Sequence, residues 1–213
     1  MKIIDPSVVT STVKQLYLDI NYNIDADIKE RLELASKIST NDTEKYVIEC
    51  IIKNSEIAST DKIALCQDTG MAVLFVEYGD EVVCPSFSDA VNEGVRQAYD
   101  EGYLRKSIVD DPVFDRKNTR DNTPAIVHTQ IVKGDKIKIT AGAKGFGSEN
   151  MSCIKMFNPT VSSDEICNYI IDCVNTAGAN PCPPIIVGVG IGGTFEQAAL
   201  LSKKATFRPL SIR

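Results

Sequence analysis

The chain has 213 residues, 43% of them hydrophobic, enough to bury a substantial core within the size range of one domain, which excludes a disordered chain. Its formal charge of -6 and pI near 4.9 oppose general binding to nucleic acid or to an anionic membrane, because such a surface repels polyanions. A small anionic substrate would therefore need a local basic pocket.

No run of about 18 apolar residues occurs, and Met1-Lys2-Ile3-Ile4-Asp5-Pro6 lacks the apolar core of a secretory signal. The expected location is cytoplasmic, with no membrane partner. Residues 8–58 carry apolar positions at three- and four-residue spacing, as in Val13, Leu16, Tyr17, Ile20 and again Val47, Ile48, Ile51, Ile52, which predicts three helices with starts at Asp25 and Asn41. Ala72 to Glu77 is an apolar run between Gly70 and Gly79 and predicts a buried strand. A helix follows over about 87–102, capped by Ser86 or Ser88.

The segment from Asp110 to Thr123 is rich in turn formers. After it, Pro124 to Val132 and Lys136 to Ala141 predict two strands joined as a hairpin through Gly134-Asp135. A glycine loop at 142–147, a helix over 163–175, a strand over 185–189 and a helix over 195–205 complete the pattern. The fold class is α/β or α+β: N-terminal helices packed on a small mixed sheet, with further helices. No repeat or linker divides the chain, so a single domain is expected over 1–213, with 1–60 as a helical N-terminal part.

The seven cysteines, Cys50, Cys66, Cys84, Cys153, Cys167, Cys173 and Cys182, form an odd set without paired C-x-x-C spacing, against a disulfide framework or a zinc ribbon. Two stand in loops that cannot continue as helix or strand. Cys66 lies in Cys66-Gln67-Asp68-Thr69-Gly70, where an amide and a carboxylate beside a thiol are costly in a core and useful in a site. The structural alternatives are a buried cysteine and an Asp68 that caps a turn. Cys182 lies in Asn180-Pro181-Cys182-Pro183-Pro184, a rigid loop that suits a metal ligand and equally a stiff strand entry. For the other five cysteines packing is expected; Cys167 and Cys173, six apart on one predicted helix, face opposite sides.

Lys144-Gly145-Phe146-Gly147-Ser148-Glu149-Asn150 offers a cation, two glycines and a possible Ser148 helix cap, a cradle for a carboxylate or an ordinary turn. Gly188-Val189-Gly190-Ile191-Gly192-Gly193 satisfies G-x-G-x-x-G but lacks the following strand and acidic residue of a dinucleotide site, so close packing of a loop is preferred. Positive charge gathers at Arg105 and at Arg116 to Arg120; Arg105 can grip a carboxylate bidentately. His128, the single histidine, is expected to be a satisfied structural residue.

The Cys66 to Gly70, Ala143 to Asn150, Asn180 to Pro184 and Ile186 to Thr194 segments together resemble the alpha part of the iron-sulfur class I fumarases and L(+)-tartrate dehydratases, over nearly the whole chain. The resemblance implies a hydro-lyase subunit acting on a small dicarboxylate, fumarate or tartrate, with a beta subunit or homo-oligomer as partner. It implies a [4Fe-4S] cluster with Cys66 and Cys182 as two of three cysteine ligands, leaving one iron open as a Lewis acid. The family's third cysteine lies downstream of the glycine-rich motif, where this sequence has none. The resemblance also makes Asp68 the acid/base or hydroxyl-orienting group, gives Gln67 and Gly145 the positioning of substrate, and gives Arg105 a substrate carboxylate. The chain is shorter than the proteins it resembles, so the alternative is a truncated noncatalytic homologue or interaction subunit. The apolar stretch Pro209 to Ile212 points to association.

Overall fold

Residues 1–210 are described by the structure, a computed structural model. They form, in chain order, β1 (Lys2–Ile3), α1 (Pro6–Tyr22), α2 (Ala26–Ile38), α3 (Asp42–Asp61), β2 (Met71–Gly79), β3 (Val82–Val83), α4 (Phe87–Glu101), β4 (Ile126–Val132), β5 (Ile137–Lys144), α5 (Phe146–Glu149), α6 (Ser163–Ala177) and α7 (Phe195–Ala205). Local chemistry explains most of these boundaries. The Asp5 carboxylate accepts the Ser7 N–H at 2.8 Å ahead of Pro6, Asn41 accepts from the Glu44 N–H at 3.0 Å, and Ser162 with Glu165 forms a reciprocal capping box, each satisfying donors that a helix start leaves open. Asp25 and Ser86 also precede helices, but neither side chain bonds to the first turn.

The chain divides into two compact units, one formed by Met1–Lys144 with the segment from Pro209 on, the other by Gly145–Arg208. In the first, β2 is the central strand of a sheet ordered β4-β2-β5. Its residues Ala72 to Val76 are all buried, and it pairs in parallel with β4, from Val73 with Ile126 to Gly79 with Val132. It pairs antiparallel with β5, from Met71 with Lys144 to Tyr78 with Ile137.

The expected hairpin is therefore corrected: β4 and β5 are not neighbours, because the more apolar β2 lies between them and takes a partner on each edge. The turn at Gly134 instead crosses the end of β2. The Gly79 N–H donates to Lys136 O at 2.9 Å and the Glu81 N–H to Gly134 O at 3.0 Å. A Cβ at Gly79 would meet Gly134 O at 2.3 Å, so only glycine admits this crossing.

Helices α1 and α4 share one core with the sheet, with Val9, Val13, Tyr17, Leu74, Val91, Val95 and Tyr99 among its members; complete burial of a Val or Leu is worth about 1.5–3 kcal/mol each. The two helices approach closely at Gly94, where a Cβ would stand 2.6 Å from Thr10 O, and the Thr10 hydroxyl donates to Ala90 O at 3.0 Å. A second, two-stranded sheet of β1 and β3, parallel from Lys2 with Val82, has no counterpart in the sequence reading. His128 stacks on Phe75, its neighbour across the β2–β4 pair, with ring centroids 5.0 Å apart.

The second unit holds α5, α6 and α7. The expected strand over 185–189 does not form: the segment is irregular, with Ile185, Ile186, Val187 and Val189 all exposed. An extended run without a neighbouring strand leaves its backbone groups unpaired. The glycine loop expected at 142–147 is also corrected, since β5 continues to Lys144 and Gly145, not Ser148, is the N-cap of α5. Of the apolar stretch Pro209 to Ile212, Ser211 and Ile212 lie outside the described residues; the Leu210 N–H donates to the Asp27 carboxylate at 2.7 Å. Among the described residues no helix is long and apolar enough to cross a membrane.

Candidate functional site

After α3 the chain leaves the helix through Lys62 in the left-handed region and runs irregularly to β2. This connection carries Cys66, Gln67 and Asp68, and hydrogen bonds hold it from both ends. The Leu65 N–H donates to Asn21 O at 2.8 Å, and the Asn54 amide donates to Leu65 O at 2.8 Å. Beyond the cysteine, the buried Tyr99 hydroxyl donates to Thr69 O at 2.6 Å and to Gly70 O at 3.2 Å. The Thr69 hydroxyl in turn donates to Arg105 O at 2.9 Å.

Asn122 completes this support. Fully buried at 0% exposure, its amide donates to Gly70 O at 3.1 Å, while its side-chain oxygen accepts the N–H groups of Ser107 at 2.7 Å and Ile108 at 3.2 Å. One side chain thus joins the Cys66 to Gly70 loop to the segment that carries Arg105. Its φ of 61° is a left-handed conformation that asparagine tolerates better than most residues. Asn122, Tyr99 and Thr69 were missed in the sequence; the available signal was an asparagine in a turn-forming segment just ahead of Pro124.

Between these supports, Cys66 and Gln67 are exposed and Asp68 is half-buried. The Asp68 N–H points at Cys66 Sγ at 3.4 Å, outer support of the kind a ligating thiolate uses. The Asp68 Oδ1 accepts the Gly70 N–H at 3.2 Å. The turn-capping role considered for Asp68 is thus realised, alongside its position at the rim; a carboxylate has a second oxygen for other work. Cys66 is not the buried small hydrophobe of the structural alternative. Burial, the chief cause, and the neighbouring Asp68 charge push the Tyr99 hydroxyl well above its ordinary range, against the opposing Asn122 hydrogen bond, so Tyr99 remains a protonated donor. The Arg105 side chain is exposed, whereas adjacent Lys106 is paired with Asp100 at 2.7 Å.

The second unit positions Gly145 and Cys182. Gly145 caps α5 with extended backbone, and the Ser148 hydroxyl donates back to its carbonyl at 3.1 Å. A Cβ at Gly147 would stand 3.7 Å from Asn180 O, so this loop passes beside the one that carries Cys182. Glu149 is ion-paired with Lys203. Cys182 is exposed, has a φ of 60° and donates its N–H to Ala179 O at 3.1 Å.

Gly188 and Gly190 serve packing. A Cβ at Gly188 would meet Ser202 O at 2.2 Å, and one at Gly190 would meet Ala198 O at 2.2 Å, so α7 packs directly on this backbone, the close packing expected of the loop. Of the five cysteines expected to pack, Cys84 is buried, Cys173 is intermediate, and Cys50, Cys153 and Cys167 are exposed.

Cys66 and Cys182 are each exposed thiols in backbone-anchored loops, a donor type that suits iron. A [4Fe-4S] cluster held by cysteines needs at least one more, and among the described residues no three His, Cys, Asp or Glu side chains are grouped to hold a metal. The residues present fit part of a cluster's ligand set and do not complete it.

The fumarate hydratase (Fumerase) family matches residues 10–213. The "Putative L(+)-tartrate dehydratase subunit alpha" of Methanocaldococcus jannaschii is 34% identical over 211 residues, covering 96% of this chain and 74% of that protein. The L(+)-tartrate dehydratase subunit alpha of Escherichia coli strain K12 is 27% identical over 210 residues, covering 96% and 69%; that of Shigella sonnei has the same identity and coverage. With a family match over almost its full length and a relative at this identity, the chain belongs to the fumarate hydratase family.

Proposed function

We propose that this chain is the alpha part of a hydro-lyase that adds water to, or removes it from, a small dicarboxylate, fumarate or tartrate, together with a beta subunit. One observation carries the reading beyond family membership: the loop with Cys66, Gln67 and Asp68 is tied through Thr69 and Asn122 to the segment with Arg105. A thiol, an amide, a carboxylate and a guanidinium are thereby built on one hydrogen-bonded framework.

In this reading Asp68 moves the proton or orients the departing hydroxyl. That role asks for a carboxylate within reach of solvent and substrate on a backbone that does not shift during transfer. Gln67 and Gly145 position the substrate, the glycine by letting backbone approach it. Arg105 binds one carboxylate through paired N–H donors. Cys66 and Cys182 are two ligands of a [4Fe-4S] cluster, whose ligation they do not complete.

The test is co-expression with a beta subunit, anaerobic reconstitution with iron and sulfide, and separate assays with fumarate and tartrate. The expected result is an absorbance near about 400 nm, lost on substitution of Cys66 or Cys182, together with hydration activity that the alpha chain alone lacks. A protein that gains neither chromophore nor activity overturns the reading.

A further inference from the structure

Outside the residues assigned above, the second unit brings two cysteines together. Cys153 Sγ and Cys173 Sγ are 2.9 Å apart, though twenty positions separate them in sequence. Cys153 lies in the segment after α5 and is exposed; Cys173 lies on α6 and is half-buried. A disulfide has its sulfurs about 2.03–2.05 Å apart, so closure asks for an approach of less than about 1 Å.

Their proximity rests on more than the two thiols. Two residues after Cys153, Lys155 places its ammonium 4.8 Å from the centre of the Tyr169 ring and 4.9 Å from that of Phe157. Phe157 packs edge-on against Tyr169 at 5.6 Å. Tyr169 lies one helical turn before Cys173 on α6. A cation–π pair and an aromatic pair thus clamp the segment with Cys153 onto the face of α6 that presents Cys173. Cys167, six positions earlier on the same helix, is exposed and takes no part.

We propose that Cys153 and Cys173 form an oxidisable dithiol that hydrogen peroxide converts to an intramolecular disulfide. Exposure makes Cys153 the first sulfur to meet the oxidant. Its sulfur attacks the peroxide, the O–O bond breaks, one water leaves and a sulfenic acid remains on Cys153. Cys173 Sγ then displaces the hydroxyl from that sulfur: the S–S bond forms, the S–O bond breaks, and the Cys173 proton leaves with the hydroxyl as a second water. Two thiols give up two electrons and the peroxide is reduced to two waters. Burial, followed by its bond with Cys153, holds the Cys173 thiol above its ordinary range, in keeping with a second sulfur that reacts only once its partner is activated. The product pins the segment after α5 to α6.

The full chain, reduced and then exposed to hydrogen peroxide, is unfolded and its free thiols are alkylated and counted. The count should fall from the sequence's seven to five and return to seven with dithiothreitol. Trypsin cuts after Lys155 and separates the two cysteines, so mass spectrometry should find the Cys153 peptide linked to the one that follows. The link should persist in Cys167→Ser and vanish in Cys153→Ser and Cys173→Ser, whose folding is checked by circular dichroism. Should either variant unfold, the wild-type linked peptide, fragmented to place both cysteines, decides alone. The proposal is overturned by an unchanged thiol count, by a link that survives Cys173→Ser, by a link between two chains, or by Cys153 carried to sulfinic acid while Cys173 remains alkylated.

Discussion

Replacing Asn122 by alanine removes three hydrogen bonds at once, those to Ser107, Ile108 and Gly70. At a net of about 0.5–1.5 kcal/mol each, their loss costs about 2–4 kcal/mol, the upper end applying where buried backbone groups stay unpaired. The φ of 61° adds about 1 kcal/mol for an alanine held left-handed. The total of about 3–5 kcal/mol is a large share of the 5–15 kcal/mol that stabilises a typical domain. Amide hydrogen exchange read by mass spectrometry on peptides spanning residues 64–72 and 104–110 should show protection falling by about two to four orders of magnitude, at 1.4 kcal/mol per tenfold. Asn122→Gly relieves the backbone cost alone and should recover only about 1 kcal/mol. A loss under about 1 kcal/mol for alanine, or full recovery with glycine, would show that conformation holds this loop and not the hydrogen bonds.

Asp68→Asn keeps an oxygen for the Gly70 N–H and removes the carboxylate proposed to carry the proton; if the proposal holds, kcat of the protein reconstituted with a beta subunit should fall by about a hundredfold or more with KM little changed. An unaltered kcat removes Asp68 from the chemistry. Gly79→Ala drives a Cβ to within 2.3 Å of Gly134 O and should cost about 1–3 kcal/mol in urea unfolding followed by ellipticity, the usual cost of overpacking; a neutral result would mean the crossing over β2 can relax. Hydrogen bonds from Arg96, first, and Gln97 lower the Glu93 carboxyl from 4.5 to about 2. Because the folded value lies below the unfolded one, ionised Glu93 stabilises the fold above about pH 4.5, and that contribution fades as pH falls toward 2. At 41% side-chain exposure, solvent screening limits it to about 1 kcal/mol at most. The stability gap between Glu93→Gln and the parent should therefore shrink from pH 6 to pH 3, and a gap that widens refutes the assignment.

Helices were legible wherever their signals were local. The three-four spacing of Val13, Leu16, Tyr17 and Ile20 and the Asn41 start each depend on residues within a turn or two, and the structure reproduces them. Strand pairing was not, since it depends on which distant strand wins an edge. Gly134-Asp135 is a sound hairpin turn on its own terms, yet β2, fixed far upstream, lies between the strands it joins. The segment 185–189 shows the converse failure: a strand-like run of β-branched residues stays irregular without a partner strand. Of the candidate site, the residues that could do chemistry stood out as costly polar groups beside a cysteine. Those that hold them did not, because Asn122, Tyr99 and Thr69 are ordinary residues until the chain brings Gly70 and Arg105 to them.

That division has a physical cause which also bears on how such a site works. The groups that could do chemistry here lie at the rim, and partly exposed groups gain little from packing, so they cannot hold themselves in place. The positional accuracy has to come from neighbours whose polar atoms are fully satisfied in the interior, where an unmade bond costs most. Tyr99 and Asn122 answer that description. Tyr99 is completely buried with its hydroxyl spent on Thr69 and Gly70 carbonyls, and Asn122 uses both ends of its amide. The rim residues Cys66, Gln67 and Asp68 thus owe their positions to bonds made on either side of them, at Leu65 and at Thr69 and Gly70. It follows that substitutions at Asn122 should disturb the Cys66 and Asp68 positions together, whereas substitutions at Asp68 should leave the loop in place. Measuring exchange protection at residues 64–72 in both variants separates the support from what it supports.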